Sequence, residues 1–328
     1  MKICIVGAGA IGGFLGTRLA CEGSAQVAAL ARGATLAALR AHGWRLQQSA
    51  GPALTAPVAL ASEDPHELGP QDLVIIAVKG PALPALAPQL APLLHEGTDL
   101  LPAMNGVPWW FSAGIAALGA HPLESVDPGG RIAAALPPER VVGCVVHASA
   151  TTAAPGVTLH RMGRGLIVGE PAGGNSPRVE RLHALFSRAG FEVSSSPRIR
   201  YDVWYKLWGN MTMNPVSALT GASMDRVLDD ELVREFCSGA MREAAAVGAR
   251  IGCEVRESAD DRHAVTRRLG AFKTSMLQDV EASRPLELDA LVGAVREIGR
   301  RVGVATPSID ALFGLTRLFA RVRGLYPA

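Results

Sequence analysis

Lysine is nearly missing from this chain: of its 32 basic residues, 28 are arginine and only 4 are lysine. Acidic residues number 30, so the formal charge is +2, with no excess of one sign to hold nucleic acid or a lipid surface. Charged residues make up 19 % against 48 % hydrophobic, which excludes intrinsic disorder. A length of 328 residues then leaves apolar material for two cores. No stretch approaches the roughly 18 uninterrupted apolar residues of a membrane span. Cys4, Cys21, Cys144, Cys237 and Cys253 lie far apart without a C-x-x-C pair. This excludes a disulfide framework or zinc ribbon and points to the cytoplasm. The eight histidines form no H-x-H, H-E-x-x-H or Cys/His cluster, so no metal site is expected. Without a G-x-S-x-G elbow, a hydrolase is not supported.

What is present divides in two. Met1-Lys2 and the apolar residues after them start like a leader, but Gly7, Gly9, Gly12 and Gly13 interrupt the run, and a strand followed by a loop explains it better. Lys2–Val6 is a β-branched strand, residues 11–21 have helical spacing through Ile11, Leu15 and Leu19, and Gln26–Leu30 and 72–78 are buried strands. Further strands are expected near 100–104, weakened by Pro102, and over 141–148. Residues 151–168 resemble hairpins, with turn signals at Pro155-Gly156 and 163–165. After 194–197 the pattern becomes helical over 201–214, 229–248, 256–283, 286–303 and 308–322. Thr306 before Pro307 reads as an N-cap followed by proline at the first helical position. We therefore expect an α/β domain over 1–197 and an all-α domain over 198–328. Leu312, Leu315, Leu318 and Phe319 form a stripe that suits either packing within the second domain or a homodimer surface.

Gly7-Ala8-Gly9-Ala10-Ile11-Gly12 is G-x-G-x-x-G between a strand and a helix, the dinucleotide-binding signature of a Rossmann-type doubly wound sheet. The first glycine permits the turn, the second admits a diphosphate, and the third lets helix and strand pack closely. The second strand ends in Ala31-Arg32-Gly33 with no acid. An arginine there can fork onto a 2′-phosphate that a carboxylate would repel, which favours NADP(H) over NAD(H).

Lys206, Asn210 and Asn214 stand at i, i+4 and i+8, spanning roughly 80° of one helical face. One reading is a surface lysine and two capping asparagines ahead of Pro215. The other is a proton donor flanked by amides. Asparagine is a poor helix-interior residue without such work, and an ammonium can release a proton where a guanidinium cannot.

The order of features then becomes informative. The early glycine loop, Val78-Lys79, Asn105-Gly106 and the K-x-x-x-N-x-x-x-N helix are followed by Ser275-Met276-Leu277-Gln278-Asp279 and, twelve residues after Ser275, by Glu287. Over essentially the whole chain this resembles the ketopantoate reductase (2-dehydropantoate 2-reductase) family. The resemblance implies NADPH-dependent reduction of ketopantoate to pantoate, in pantothenate biosynthesis. It implies that Lys206 protonates the ketone oxygen and that Glu287 orients Lys206 and bonds a substrate hydroxyl. Asn210 and Asn214 would hold the hydroxyl and carboxylate end, and Ser275 the carboxylate. Asn105 would lie at the nicotinamide edge and the substrate, with Lys79 along the cofactor ribose and Ala148 among the cofactor-side residues.

Three features depart from the family pattern. Val107-Pro108-Trp109-Trp110-Phe111 follows Asn105-Gly106, with a further segment at 125–130. Phe272 and Met224 occupy positions where the pattern carries asparagine. An aromatic cluster there either lines a larger apolar pocket or packs a loop onto the sheet. The first option suits a D-2-hydroxyacid dehydrogenase acting on a bulkier aromatic or branched 2-keto acid. A non-catalytic NADPH-binding regulator is a third alternative, against which the pairing of Lys206 with Glu287 argues.

Overall fold

The computed structural model describes residues 1–268 and 270–327. Contacts group the chain into two compact units, Met1–Met104 with Arg131–Asp202 and Asn105–Gly130 with Val203–Ala328. A single cut at 197 differs from this division in one substantial way. The segment 105–130 leaves the first unit and returns to it, because its apolar side chains are buried with the helices that follow 203.

The first unit carries ten strands: β1 (Lys2–Val6), β2 (Gln26–Leu30), β3 (Trp44–Gln48), β4 (Leu54–Ala56), β5 (Ala61–Ser62), β6 (Leu73–Ile76), β7 (Asp99–Pro102), β8 (Gly143–Ala154), β9 (Val157–Gly169) and β10 (Glu192–Ser195). Five form a sheet in the order β5-β2-β1-β6-β7, every pairing parallel. Their continuous apolar runs follow from burial on both faces, as for Ile3, Cys4, Ile5 and Val6. Pro102 is tolerated as the last residue of the edge strand. The strand order reverses between β1 and β6, and open sheets of this kind bind ligands beyond the strand ends at such a switch point.

The second sheet runs β10-β9-β3-β4, with β8 antiparallel to β9. Of the two expected turns, only Pro155-Gly156 is one. Residues 163–165 lie inside β9, and the register slips opposite them between His147 and Ser149. A Cβ at Gly163 would stand 2.5 Å from the His147 carbonyl, so the glycine marks a bulge where the two backbones meet closely. The Ala10–Glu22 helix puts Phe14, Leu15 and Leu19 into a core shared with side chains of both sheets. Gly16 of that helix accommodates the Trp44 ring, whose Nε1 donates to the Val27 carbonyl at 3.2 Å.

The second unit is helical. The Ile199–Thr220 helix, which begins in the first unit, is followed by Met224–Asp229, Glu231–Arg250, Ala259–Arg267, Ser275–Glu281, Ala294–Arg301 and Pro307–Val322. The continuous helix expected over 256–283 is two helices, broken around Gly270, which has φ +71°. The one expected from 286 opens as a π-helical turn, Asp289–Gly293. Thr306 is the residue ahead of the last helix, but its side chain does not cap. The Glu243 carboxylate does so instead, accepting from the amides of Ser308 at 2.9 Å and Ile309 at 3.0 Å. In the apolar stripe, Leu312 is buried in the core while Leu315 and Leu318 are exposed. Among the described residues, no helix is long and apolar enough to cross a membrane.

Gly16→Val places a branched side chain where a Cβ alone would stand 2.6 Å from Trp44. Overpacking of this kind should lower unfolding free energy by about 2 kcal/mol, read from the urea midpoint.

Candidate active site

In the first unit, β1 delivers the chain into the glycine loop. Gly7 has φ +91°, and a Cβ on it would stand 2.6 Å from Val78. A Cβ on Gly12 would be 2.0 Å from the Gly7 carbonyl oxygen, so helix and turn close on each other without side chains between them. Gly9 is the opposite case: nothing lies within 4 Å of its Cβ position, and its backbone faces open space. The helix beginning at Ala10 has no side-chain cap and no acid in its first turn. Open backbone and uncapped N-terminal amides fit the diphosphate of a dinucleotide.

Around this loop stand the other cofactor candidates. Arg32 is exposed directly beyond β2, ahead of the Gly33–His42 helix, and no acid accompanies it there. Lys79 is half-buried beyond β6, where it precedes a short 3-10 turn. Ala148 is half-buried at the β8 irregularity, within a strand that continues to Ala154.

The second unit gathers the polar helix face. Lys206 Nζ donates to Asn105 Oδ1 at 2.9 Å, joining residues 101 apart in sequence. Asn214 is 5 % exposed and its Nδ2 donates to Ser275 Oγ at 3.5 Å. Ser275 opens the Ser275–Glu281 helix, whose first turn is capped by Thr274. Asn210 is half-buried between Lys206 and Asn214 on the same helix. All three residues lie inside a helix that runs through Pro215 to Thr220, so neither asparagine is a terminal cap.

Asn105 owes its position to the residue after it. Gly106 has φ +81°, and a Cβ there would lie 2.5 Å from the Ala290 carbonyl oxygen. That carbonyl accepts from the Val107 amide at 2.8 Å. Ala290 belongs to the π turn, and half-buried Glu287 stands three residues before it. Tyr326 ties the turn from another side, donating its hydroxyl to Asp289 at 2.6 Å, and Leu286 N bonds the Leu325 carbonyl at 3.0 Å. A π turn widens the helix by one residue, a device frequent at functional sites.

Two residues that the sequence reading passed over hold the remainder of the excursion. Glu297 accepts from the amides of Glu124 at 3.0 Å and Ser125 at 2.8 Å, and from Arg301 at 2.6 Å. Burial pushes its pKa upward, but these bonds outweigh it and hold the carboxyl below the ordinary glutamate range. Arg301 also donates to the carbonyls of Leu118 at 3.2 Å and His121 at 2.8 Å. Their i, i+4 spacing was the only local signal, and it is common to many surface pairs.

The aromatic cluster is core. Trp109, Trp110 and Phe111 are 3 %, 1 % and 0 % exposed, and Phe111 stacks on Trp204 with centroids 6.0 Å apart. The cluster packs the excursion among the helices of its own unit. Met224 is fully buried and Phe272 packs against the same cluster of Met213, Val216 and Leu312. Both apolar replacements therefore serve the interior.

Comparison with known proteins finds one family along most of the chain. The family model "Ketopantoate reductase PanE/ApbA" matches residues 3–173, and "Ketopantoate reductase PanE/ApbA C terminal" matches 198–320. A 2-dehydropantoate 2-reductase of Mesorhizobium japonicum is 43 % identical over 327 residues, 99 % of this chain and 100 % of that protein. The crystal structure of a ketopantoate reductase candidate from Ralstonia solanacearum MolK2 is 57 % identical, with TM-score 0.94 and 99 % of each chain covered. That of 2-dehydropantoate 2-reductase from Methylococcus capsulatus is 27 % identical, with TM-score 0.84 and 98 % of each covered.

Gly106→Ala combines a left-handed backbone with a 2.5 Å contact to Ala290. It should cost about 2 kcal/mol of stability in urea unfolding, more than Gly→Ala at an ordinary loop position.

Proposed function

The chain belongs to the ketopantoate reductase family, and we propose that it reduces 2-dehydropantoate to pantoate with NADPH. The observation that carries the reading is the 2.9 Å hydrogen bond from Lys206 Nζ to the side-chain oxygen of Asn105. A neutral amide acceptor helps direct the ammonium, which can then meet a substrate oxygen. A nucleotide sensor without chemistry has no use for a cation held this way.

Reduced nicotinamide, if held there, would supply the hydride that the keto carbon needs. As the carbonyl π pair moves onto oxygen, Lys206 would first stabilise and then protonate the developing alkoxide. Asn105 keeps the ammonium aimed, and Glu287, beside the turn that anchors Asn105, supports the charged form until transfer. Asn210, Asn214 and Ser275 take the hydroxyl and carboxylate end of the substrate. The loop from Gly7 through Ala8, Gly9, Ala10 and Ile11 to Gly12 takes the diphosphate, with Lys79 and Ala148 on the cofactor side. Arg32 supports NADP(H), since its exposed guanidinium follows β2 where NAD-binding folds carry an acid.

The direct test is NADPH oxidation at 340 nm against a panel holding ketopantoate, phenylpyruvate, benzoylformate and 2-ketoisovalerate. Ketopantoate should be turned over fastest; preference for an aromatic acid would reject the substrate assignment. Lys206→Ala should keep NADPH affinity while kcat falls by about 10³-fold, and retention of turnover would remove Lys206 from the chemistry. Arg32→Ala should weaken NADPH by about 10- to 100-fold and leave NADH unchanged, as fluorescence titration of both nucleotides would show.

A further inference from the structure

The helix that follows Glu287 can be wound in two ways at Ala294, and the choice bears on Asn105. In ordinary α-winding the Ala294 amide would donate to the carbonyl four residues back, that of Ala290. In the π turn it donates to Asp289 instead, one residue further back. The Ala290 carbonyl is thereby left to the Val107 amide, 2.8 Å away, which closes the Gly106 turn next to Asn105. The register of one amide thus opens the acceptor that seats Asn105.

What holds Asp289 in that register comes from beyond the last helix. Tyr326 donates its hydroxyl to Asp289 Oδ1 at 2.6 Å. Gly293 leaves room for the carboxylate: a Cβ there would stand 3.2 Å from the same oxygen and 3.3 Å from the Phe313 ring. The tyrosine is itself fixed. Leu325, before it, donates to the Ala320 carbonyl at 2.8 Å and accepts from the Leu286 amide at 3.0 Å. Arg321 lies over the phenol ring, 5.7 Å from its centroid, and donates to the Pro327 carbonyl at 2.9 Å. Burial pushes the Asp289 carboxyl above its ordinary range, with the Tyr326 bond and Arg317 opposing only in part. Burial and the bond to Asp289 raise the phenol as well, so it stays protonated at neutral pH and remains the donor.

We propose that Tyr326 is a positioning residue for the reaction: by holding Asp289 it keeps the turn in π register, and so keeps Asn105 against Lys206. It acts through the Val107–Ala290 bond on the side-chain amide that receives the Lys206 ammonium. This rests on the reading of Lys206 as proton donor and deepens it by naming what steadies the acid's partner.

Tyr326→Phe removes the hydroxyl and leaves the Leu325 backbone bonds in place, so the chain should fold. Hydrogen exchange of the full chain reads the device without any substrate. The Val107 and Ala294 amides should exchange about tenfold faster in Tyr326→Phe, while those of the Glu231–Arg250 helix keep wild-type rates. With whichever 2-keto acid the wild type reduces, kcat should fall about tenfold and KM change by less than about threefold. Asp289→Asn, which keeps an acceptor oxygen, should lose about threefold in kcat, against about tenfold for Asp289→Ala. In an Asn105→Ala background, Tyr326→Phe should cause no further loss, because the group it positions is gone. A wild type that reduces no 2-keto acid would fail the parent reading alone; faster Val107 exchange would still support the Tyr326 tie. Unchanged exchange at Val107 would overturn it. So would additive losses of kcat in the double variant, or loosening spread evenly over the helices, which is what a merely structural tie gives.

Discussion

A turn that glycine's left-handed backbone makes possible, closed by one backbone hydrogen bond, organises the candidate site of the helical unit. Gly106 in its left-handed conformation brings the chain against Ala290, and the Val107 amide bonds that residue's carbonyl. The acceptor is available in this place because the helix beginning near 288 opens as a π turn. Asn105 is thereby fixed on the approach to the turn, within hydrogen-bonding distance of Lys206. The pair depends on main-chain geometry more than on either side chain, since an asparagine on a freely moving loop would pay conformational entropy each time it held the ammonium.

The cost of this arrangement is a long detour. To bring Asn105 among the helices, the chain leaves a parallel sheet after β7 and does not return until Arg131. Such an excursion needs an interior of its own. Trp109, Trp110 and Phe111 supply the apolar part, while Glu297 and Arg301 satisfy amides and carbonyls of residues 118–125 that would otherwise go unpaired. The aromatic run that distinguishes this chain is therefore explained by anchorage.

Local signals carried the first unit well. The strand Gln26–Leu30 is bounded as its apolar run predicts, and the G-x-G-x-x-G loop stands between strand and helix as its chemistry requires. What escaped was decided over long sequence separations. The Val107–Ala290 bond spans 183 residues and leaves no periodicity in either segment. The glycines at 163–165 look like a turn, and only the opposing strand makes them a bulge. Similarly, Thr306 satisfies every local criterion for a cap, yet Glu243, from another helix, satisfies the amides. The lysine–asparagine stripe was visible from spacing, whereas its partner Asn105 came from family resemblance.

Lysine scarcity pointed to Lys206, but scarcity alone is a weak guide. Lys273 is equally rare and forms an ordinary exposed pair with Glu281. The distinction lies in the acceptor. Lys273 meets an exposed carboxylate in water, whereas half-buried Lys206 donates to the Asn105 side-chain amide.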